Sequence, residues 1–307
     1  MMLAIRKKHR HTPEERAYFM GFILFTDSSC NLSHETLAQR DVHVVPLTYN
    51  IGEETFSCYE EDVPFDSKGF FGRLRAGDIA RTSLINTDTF LRAFELFLQN
   101  GQDIVYISIS SGISGTYQSA MLAAEELNGK YAAKVYVADS LSAAYGEGLM
   151  VLHAADMRDA GESAENVAEW VRQNRLSMCH FLSVDDLGFL RRGGRLPAMA
   201  AAIGTMLNLK PLMFFDGQGR VAVAEKVRGK NRLLREMLKR YAEKALRPDD
   251  GTVVIVHGDC AEDAEQLGAL LLQKHPNVAL TITCIEPTTG AHAGPGALAI
   301  IFWGTER

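Results

Sequence analysis

The sequence predicts an α/β protein of two domains, with a mostly parallel sheet and helices in the first domain and a mixed α+β second domain. Three observations predict this class. The chain has 307 residues, more than one domain usually contains. Its first half repeats the order strand, loop, helix, and its second half contains a hairpin among helices. Hydrophobic residues make up 47% of the chain and charged residues 23%, which is typical of a folded protein.

Three strand-to-helix passages define the first half. They read GFILF, TDSSCNLS and HETLAQR; then DIVYISI, SSGISGT and YQSAMLAAEEL; then KVYVAD, SLSAAYGEG and LMVLHAADMRDA. Continuous apolar runs followed by helices are typical of parallel strands that are buried on both faces. Between the first two passages, Thr87 and Asp88 are candidate caps of a helix that ends near Asn100 and Gly101.

The second half alternates strands and helices around one predicted hairpin. In order it reads CHFLSV, RRGGR, the small-residue helix PAMAAAIGTML, the hairpin KPLMFFDGQGRVAVAEKV, a basic helix, TVVIVHG, a helix near Glu262, ALTITCIE and GAHAGPGALAIIFWG. Gly-Gln-Gly is a typical hairpin turn. We expect a basic tail at residues 1–20 outside the folded core, a first domain at 21–160 and a second at 161–307.

Charge, hydropathy and cysteine content exclude several classes of function. The formal net charge is -6, which argues against a nucleic-acid partner. The apolar run FMGFILF continues into Thr26 without a signal-peptide cleavage site, and no run approaches the roughly 20 apolar residues that span a bilayer. Five scattered cysteines without a C-x-x-C pair predict neither a disulfide framework nor a metal site. We therefore expect a cytoplasmic protein with no membrane span.

The loop SSGISGT lies where a strand of the predicted sheet gives way to a helix. Gly112 and Gly115 allow close approach of a ligand, and Ser111 and Ser114 supply hydroxyl donors at a helix N-terminus, which favours an anion. A plain turn is the alternative interpretation. The loop lacks the G-x-S-x-G spacing of a nucleophile elbow, and no phosphate-binding G-x-x-x-x-G-K-[ST] occurs in the chain.

Two other loops carry candidate binding residues. ARTSLINTDTF presents Thr82 and Ser83, and TGAHAGPGA places His292 among three glycines and a proline. So many conformationally special residues indicate a backbone that must follow one particular path. We interpret His292 as a functional residue for this reason.

Six motifs in this order resemble the DegV family, the fatty-acid-binding subunits of bacterial fatty acid kinase. They are TDSSCNL, ISSGISGTYQSA, ADS, DDLGFLRRGGRL, LNLKPLMFFDGQGRVAVAEKVRG and GAHAGPGAL. The resemblance extends from about Gly21 to Trp303. The resemblance implies a two-domain protein that encloses one long-chain fatty acid of the palmitate or oleate class. It also implies that the carboxyl group is presented to a separate, ATP-dependent catalytic subunit of the kinase, which forms the acyl phosphate.

The same resemblance implies a carrier with no catalytic residue, metal or cofactor of its own, and it assigns the contacts residue by residue. Leucine occupies position 84, where the family usually has glutamine, so a polar contact from Leu84 is not expected. The expected carboxylate contacts are Thr82, Ser114, Arg195 and His292, with secondary loop contacts from Ser83, Ser111 and Gly115.

The acyl chain and the partner kinase require further surfaces. Arg228 is the expected kinase contact, in a basic patch with Arg191, Arg192, Arg195, Lys226, Lys230 and Arg232. For the tunnel wall, ordinary core packing is the alternative at every position. The candidates are Ile113, Met206, Leu207, Leu209, Leu212, Met213 and Phe214.

Two other functions remain open from the sequence. One is an enzyme, a hydrolase or kinase that acts on a small anionic substrate between the domains. The other is a binding module for a different small carboxylate. The chain lacks an evident base for Ser114 and lacks a nucleotide loop, which favours the carrier.

Overall fold

A parallel four-stranded sheet forms the centre of the first domain. The computed structural model describes residues 21–60, 63–195 and 209–307. In strand order β2-β1-β6-β7, the sheet contains β1 (Ile23–Asp27), β2 (Val42–Val45), β6 (Ile104–Ser108) and β7 (Val135–Asp139). These are the apolar runs that predicted parallel strands. The basic tail at 1–20, the helix PAMAAAIGTML, and Met206 and Leu207 lie outside the described residues.

Helices cover both faces of this sheet. α3 (Thr87–Gln99) and α4 (Thr116–Lys130) pack on the face that carries Phe25 and Tyr106, whereas α5 (Tyr145–Asp159) and α6 (Ala164–Asn174) pack on the face that carries Leu24 and Ile107. A short α1 (His34–Gln39) follows β1. The N-cap of α3 is Asn86, whose side chain accepts from the Thr89 N–H, rather than the expected Thr87–Asp88.

The position of α6 differs from the expected domain division. A boundary between residues 160 and 161 assigns α6 to the second domain. In the structure, however, α6 packs against β6 and β7, and its Val167 and Val171 are buried in the core of the parallel sheet. The apolar face of the helix therefore completes the first domain, and the passage to the second domain follows Asn174.

A small antiparallel sheet lies beside the parallel one. It contains β3 (Thr48–Ile51), β4 (Glu54–Ser57) and β5 (Ala80–Ser83) in the order β4-β3-β5, and α2 (Ser67–Arg75) packs on it through Phe70 and Phe71. Tyr49 of β3 pairs with Thr82 of β5. This sheet therefore determines where Thr82 lies.

The second domain contains a mixed six-stranded sheet. Its strands are β8 (Met178–Ser183), β9 (Leu209–Phe215), β10 (Val221–Arg228), β11 (Thr252–His257), β12 (Ala279–Cys284) and β13 (Leu298–Trp303), in the order β10-β9-β8-β13-β11-β12. β9 and β10 form the predicted hairpin, and only β11 and β12 are parallel neighbours. The predicted fold class, with a parallel first sheet and a mixed second sheet, is confirmed.

The helices of the second domain lie on two sides of its sheet. α8 (Lys230–Lys244) and α9 (Ala261–Lys274) cover one face through residues such as Leu234 and Leu267. α7 (Leu187–Arg192) and α10 (Pro287–Ala293) contact each other on the side that faces the first domain. Within the described ranges, none of the helices has both the length and the apolar character needed to cross a bilayer.

Candidate ligand-binding site

A cavity of about 220 Å³ lies between the two domains. Its walls are mainly apolar. They come from the loop SSGISGT of the first domain, residues 110–116, which we call the serine loop, and from β8, β9, β11 and β13 of the second domain. An apolar cavity holds water poorly and favours an apolar ligand. The apolar wall includes Ile109, Ile113, Ala143, Leu182, Phe215, Val221, Val256, Ala299 and Ile301.

Polar side chains line the same cavity at an end that opens to solvent. Ser83, Leu84 and Gly115 are exposed there, and Thr82 and His292 are partly buried between them and the apolar wall. Thr82 Oγ1 lies 2.8 Å from His292 Nε2, although the two residues are 210 positions apart in the chain. The small sheet and α10 thus bring together two of the expected carboxylate contacts.

Arg195 adds a cation to this end of the cavity. Its Nε donates to the Ile113 carbonyl over 2.8 Å, and Nη1 donates to the Gly193 carbonyl. Partial burial lowers the pKa of the guanidinium from its ordinary value. Within the described ranges, no carboxylate forms an ion pair with the charge of Arg195.

His292 is neutral at physiological pH. Burial and, to a smaller extent, the charge of Arg195 lower its pKa to about 4. Nδ1 has no hydrogen-bond partner in the part of the chain that the structure describes, and it faces Gly193, where an added Cβ would lie 2.0 Å from this atom. We assign the proton to Nε2, because a buried N–H without an acceptor is rarer than a buried lone pair without a donor. Nε2–H then donates to Thr82, which leaves the threonine hydroxyl hydrogen free for a ligand.

Fewer hydroxyl groups of the serine loop are available to bind an anion than its composition indicates. Ser114 lines the cavity, but its Oγ also lies 3.0 Å from Thr116 Oγ1 and accepts from the Thr116 N–H at the start of α4. Ser110 donates to the Gly219 carbonyl of the hairpin turn over 2.7 Å. Ser111 is exposed and lies outside the cavity lining, with its N–H bonded to Asp139. Most of these hydroxyls therefore build the loop and join it to the second domain.

The expected tunnel residues divide in a similar way. Ile113 lines the cavity, whereas Leu209 and Met213 do not. Met213 is fully buried in the core, and Leu212 and Phe214 pack on the opposite side of β9, in the cluster beneath α8. The cavity wall comes instead from Leu182, Phe215, Ala299 and Ile301, which the sequence interpretation missed. Each lies in a continuous apolar run, where no periodicity marks the side that faces a cavity.

Two threonines and a buried glutamate also belong to this region. Thr288 and Thr289 line the cavity from the first turn of α10, and the Glu286 carboxylate accepts from both of their backbone N–H groups. Burial raises the pKa of Glu286 to about 7. The sequence carried a signal for this cap, since a glutamate precedes Pro287 at the helix start.

Arg228 lies apart from the cavity. It is exposed at the end of β10, is not among the cavity-lining residues, and forms no ion pair with any described residue. Its neighbours in the basic patch are partly neutralised: Lys230 pairs with Asp263, and Arg232 lies 4.0 Å from Glu236. Over residues 21–60, 63–195 and 209–307, no three histidine, cysteine or acidic side chains are grouped as a metal site.

Fold and cavity define a two-domain α/β protein with an apolar cavity and a polar, cationic opening. The family model described as "Uncharacterised protein, DegV family" matches residues 22–304. A DegV domain-containing protein of Clostridium perfringens is 35% identical over 287 residues, which cover 93% of this chain and 98% of that protein. The chain belongs to the DegV family, as its motifs predicted.

Solved structures show the same fold over nearly the whole chain. One is a DegV family protein from Thermus thermophilus, whose description is of fatty acid binding; it is 29% identical, has a TM-score of 0.83, and the match covers 93% of this chain and 100% of that one. DegV of Bacillus subtilis, described as a fatty acid binding protein, is 28% identical with a TM-score of 0.80 over 93% and 99% of the two chains. The Streptococcus pneumoniae fatty acid kinase B3 protein, loaded with linoleic acid, shares the fold at 22% identity, a TM-score of 0.78 and coverage of 92% and 99%.

Proposed function

We propose that this protein binds one long-chain fatty acid, with the acyl chain in the interdomain cavity and the carboxylate at its open end. The observation that carries the proposal is the placement of Arg195 beside Thr82, Ser114 and His292 at one end of an apolar cavity, with no described carboxylate paired to its charge. A ligand with one anionic end and a long apolar remainder matches this distribution of polarity. A small polar carboxylate would leave the apolar wall without a partner.

The acyl chain accounts for most of the expected affinity. Burial of about fifteen methylenes at roughly 0.8 kcal/mol each offers on the order of 12 kcal/mol before the costs of binding. Hydrogen bonds to a charged group contribute about 1.5–3 kcal/mol each. The head-group contacts therefore determine which end of the ligand points outward more than whether it binds.

The chemistry of the head-group contacts favours a carrier over an enzyme. A nucleophilic Ser114 would need a base within hydrogen-bond reach. Its hydroxyl is bonded to Thr116. The two imidazoles that line the cavity, His292 and His180, are bonded to Thr82 and Ser142 instead. The two related proteins from Thermus thermophilus and Bacillus subtilis are described as binding fatty acids, which supports the same ligand class here.

We further propose that the bound acid is presented to a separate ATP-dependent kinase that forms the acyl phosphate. The carboxylate would lie at the end of the cavity where Ser83 and Gly115 are exposed, so a partner can reach it. Arg228, exposed and unpaired within the described residues, is suited to contact an anionic or nucleotide-bearing surface. The family resemblance and the shared fold of the pneumococcal kinase B3 protein support this role.

Solvent extraction of the purified protein, followed by mass spectrometry, tests the ligand. We expect about one fatty acid per chain. The absence of acyl chains, together with no thermal stabilisation by added palmitate or oleate, would refute fatty-acid binding. Recovery of a different small carboxylate would favour the alternative binding module, and turnover of an anionic substrate by the isolated protein would favour the enzyme.

The kinase step has its own test in Arg228→Ala. This variant should keep its fatty acid and lose acyl phosphate formation with the kinase subunit and ATP, because a docking contact is lost while the cavity is unchanged. Arg220→Ala is the matched control, since Arg220 is also exposed but precedes the other end of β10. Phosphorylation of the Arg228→Ala protein at the wild-type rate would contradict a kinase contact, and loss of lipid would assign Arg228 to the pocket.

A further inference from the structure

The motif DSSCN, residues 27–31, is not among the residues that line the cavity. It is nevertheless hydrogen-bonded immediately before the serine loop, next to the small sheet and at the start of α10, the three elements that carry Ser114, Thr82 and His292. This positioning segment follows β1 and includes a short 3-10 turn, Ser28–Cys30. Asp27 and Ser29 are completely buried. Asn31 has a φ of 57°, a left-handed conformation that is uncommon outside glycine. A buried segment with such a backbone is held by its surroundings rather than by its own preference.

Two buried hydrogen bonds and two partly buried ones connect this segment to three elements of the site. The Asp27 carboxylate accepts from the Ile109 N–H over 3.0 Å immediately before the serine loop, which carries Ser114. Ser28 Oγ accepts from the Leu47 N–H over 3.0 Å, one residue before β3, the strand that pairs with Thr82.

The third connection reaches the helix of His292. The Asn31 side chain donates to the Cys284 carbonyl over 3.1 Å and accepts from the Glu286 N–H over 2.6 Å. Glu286 is the N-cap of α10, on which His292 lies. Thus the serine loop, the small sheet and α10, which belong to different parts of the fold, have one common attachment.

The hydrogen bonds of Ser29 indicate that one of the two carboxyl groups beside it, Asp27 or Glu147, is protonated. Ser29 Oγ lies 2.6 Å from Asp27 Oδ1 and 2.5 Å from Glu147 Oε2, and a hydroxyl has one hydrogen to donate. Asp27 accepts from the Ser29 N–H, the Tyr106 hydroxyl and the Ile109 N–H as well, so donors surround both of its oxygens. Burial raises the pKa of Asp27 above its ordinary value, but the hydrogen bonds from Ile109, Ser29 and Tyr106 oppose this shift. Because Glu147 lacks such a set of donors, we assign the negative charge to Asp27.

Glu147 has the opposite surroundings. Its carboxyl group is completely buried, and its hydrogen bonds to other described residues are those with the hydroxyls of Ser29 and Thr26. Thr26 Oγ1 also lies 3.1 Å from the Ile107 carbonyl, a second acceptor for its single hydrogen. Among the described residues no cation pairs with Asp27 or Glu147. Burial first, and the charge of Asp27 second, raise the pKa of Glu147 well above its ordinary value.

We propose that the segment Asp27–Asn31, held by a protonated Glu147 that donates to Ser29, positions the three elements that form the fatty-acid head-group site. The identity of the ligand rests on the proposed function. The new element is that residues outside the cavity position the side chains that contact the head group. Glu147 and Asp27 are equally buried, but their positions require different side chains. Position 147 requires a neutral group that can donate a hydrogen bond, and position 27 requires a group that only accepts hydrogen bonds.

Two isosteric variants separate these requirements. Glutamine can replace a neutral carboxyl at 147, since its amide donates to Ser29 and accepts from Thr26, whereas asparagine at 27 would direct an N–H group at donors. We expect Glu147→Gln to bind oleate within about threefold of wild type and Asp27→Asn to bind it at least tenfold more weakly. Oleyl alcohol, which has the same chain without the charge, should lose much less affinity in Asp27→Asn.

Difference infrared spectroscopy tests the proton without reference to binding. At pH 9, where Glu286 with its pKa of about 7 is ionised, the wild type should show the C=O stretch of a buried, protonated carboxylic acid, and Glu147→Gln should lose it. Persistence of that band in Glu147→Gln, or a loss of oleate affinity as large as in Asp27→Asn, overturns the proton assignment. An equal loss of oleate and oleyl alcohol in Asp27→Asn overturns the positioning role.

Asn31→Gly provides a second route if Asp27→Asn does not fold. Glycine accepts the left-handed φ but removes the bonds to Cys284 and Glu286, so it should also reduce oleate affinity more than oleyl alcohol affinity. Unchanged oleate binding in Asn31→Gly refutes the proposal. A wild-type protein without affinity for either ligand refutes the proposed function itself, and the infrared band then still decides whether Glu147 holds the proton.

Discussion

Thr82→Val removes one hydroxyl from the candidate site while keeping nearly the same side-chain shape. Thr82 lies on β5, and its pairing with Tyr49 uses backbone groups that valine also has. A β-branched residue is preserved in a strand, so the small sheet should remain intact. What is lost is the hydroxyl that lies 2.8 Å from His292 Nε2 and that, by our tautomer assignment, donates to the ligand.

The magnitude follows from the charge on the ligand. A hydrogen bond to an ionised acceptor contributes about 1.5–3 kcal/mol, which corresponds to roughly 10- to 150-fold in the dissociation constant of a fatty acid. The same change leaves the His292 N–H without its acceptor, which costs the unliganded protein about 1–3 kcal/mol of stability. Both effects should appear together, because one hydroxyl serves both partners.

Titration with a fluorescent fatty acid and with the matching fatty alcohol is the assay. The alcohol offers no charge, so its affinity should fall by less than that of the acid. Ser111→Ala is the matched control, because Ser111 is an exposed hydroxyl outside the cavity lining. If Thr82→Val binds the acid as tightly as Ser111→Ala does, or loses acid and alcohol equally, the carboxylate does not lie at Thr82.

Three further predictions address the imidazole and the cavity wall. Gly193→Ala places a Cβ 2.0 Å from His292 Nδ1 and should weaken fatty-acid binding about tenfold. Gly217→Ala is the control, because Gly217 has open space around it and its substitution should leave binding unchanged. Equal fatty-acid affinities of the two variants would contradict a role of His292 in binding. Ala299→Leu fills the cavity with about three carbons and should shift the co-purified acyl chains to shorter lengths by a similar number, as seen by mass spectrometry; an unchanged chain profile would place the tail elsewhere. The folded-state pKa of His292, about 4, lies below the usual unfolded value of about 6.5. The unfolded chain therefore binds more protons between these values, and the free energy of unfolding decreases as the pH is lowered from 7 to 5. Urea unfolding at pH 7 and pH 5 should therefore show a loss up to about 2 kcal/mol larger for the wild type than for His292→Gln, and equal losses would refute the assignment.

The sequence predicted the fold class because that class depends on local signals. The runs around Leu24, Val105 and Tyr136 are apolar over consecutive positions and precede helices, which is sufficient to identify parallel strands. The small sheet of β3, β4 and β5 was not predicted, since its strands have four residues each and mix polar with apolar side chains. Packing of α2 through Phe70 and Phe71, rather than local pattern, stabilises it.

The candidate site was predictable in its residue types but not in its geometry. Thr82 and His292 were singled out from separate loops, and only tertiary structure brings them to 2.8 Å. Ser110 and Ser114 looked alike in the sequence, yet one bonds the hairpin turn and the other lines the cavity. Asp27 and Glu147 are 120 positions apart, and no local pattern indicates that a single serine joins them.

The arrangement of donors bears on how a carrier can hold an acid and still give it to an enzyme. A carboxylate in a tight, fully buried ion pair would keep both oxygens occupied, and its transfer would carry a large desolvation cost. Arg195 instead has two of its donors bonded to the Ile113 and Gly193 carbonyls, which limits the guanidinium to a partial contact with a ligand. In the proposed placement Thr82 adds an uncharged hydroxyl donor, since its hydroxyl accepts from His292 and keeps its own hydrogen for the ligand. With the carboxylate placed as proposed, its attraction to the protein comes mainly from groups that need no counter-ion after it leaves, while the buried acyl chain keeps the ligand bound during the exchange.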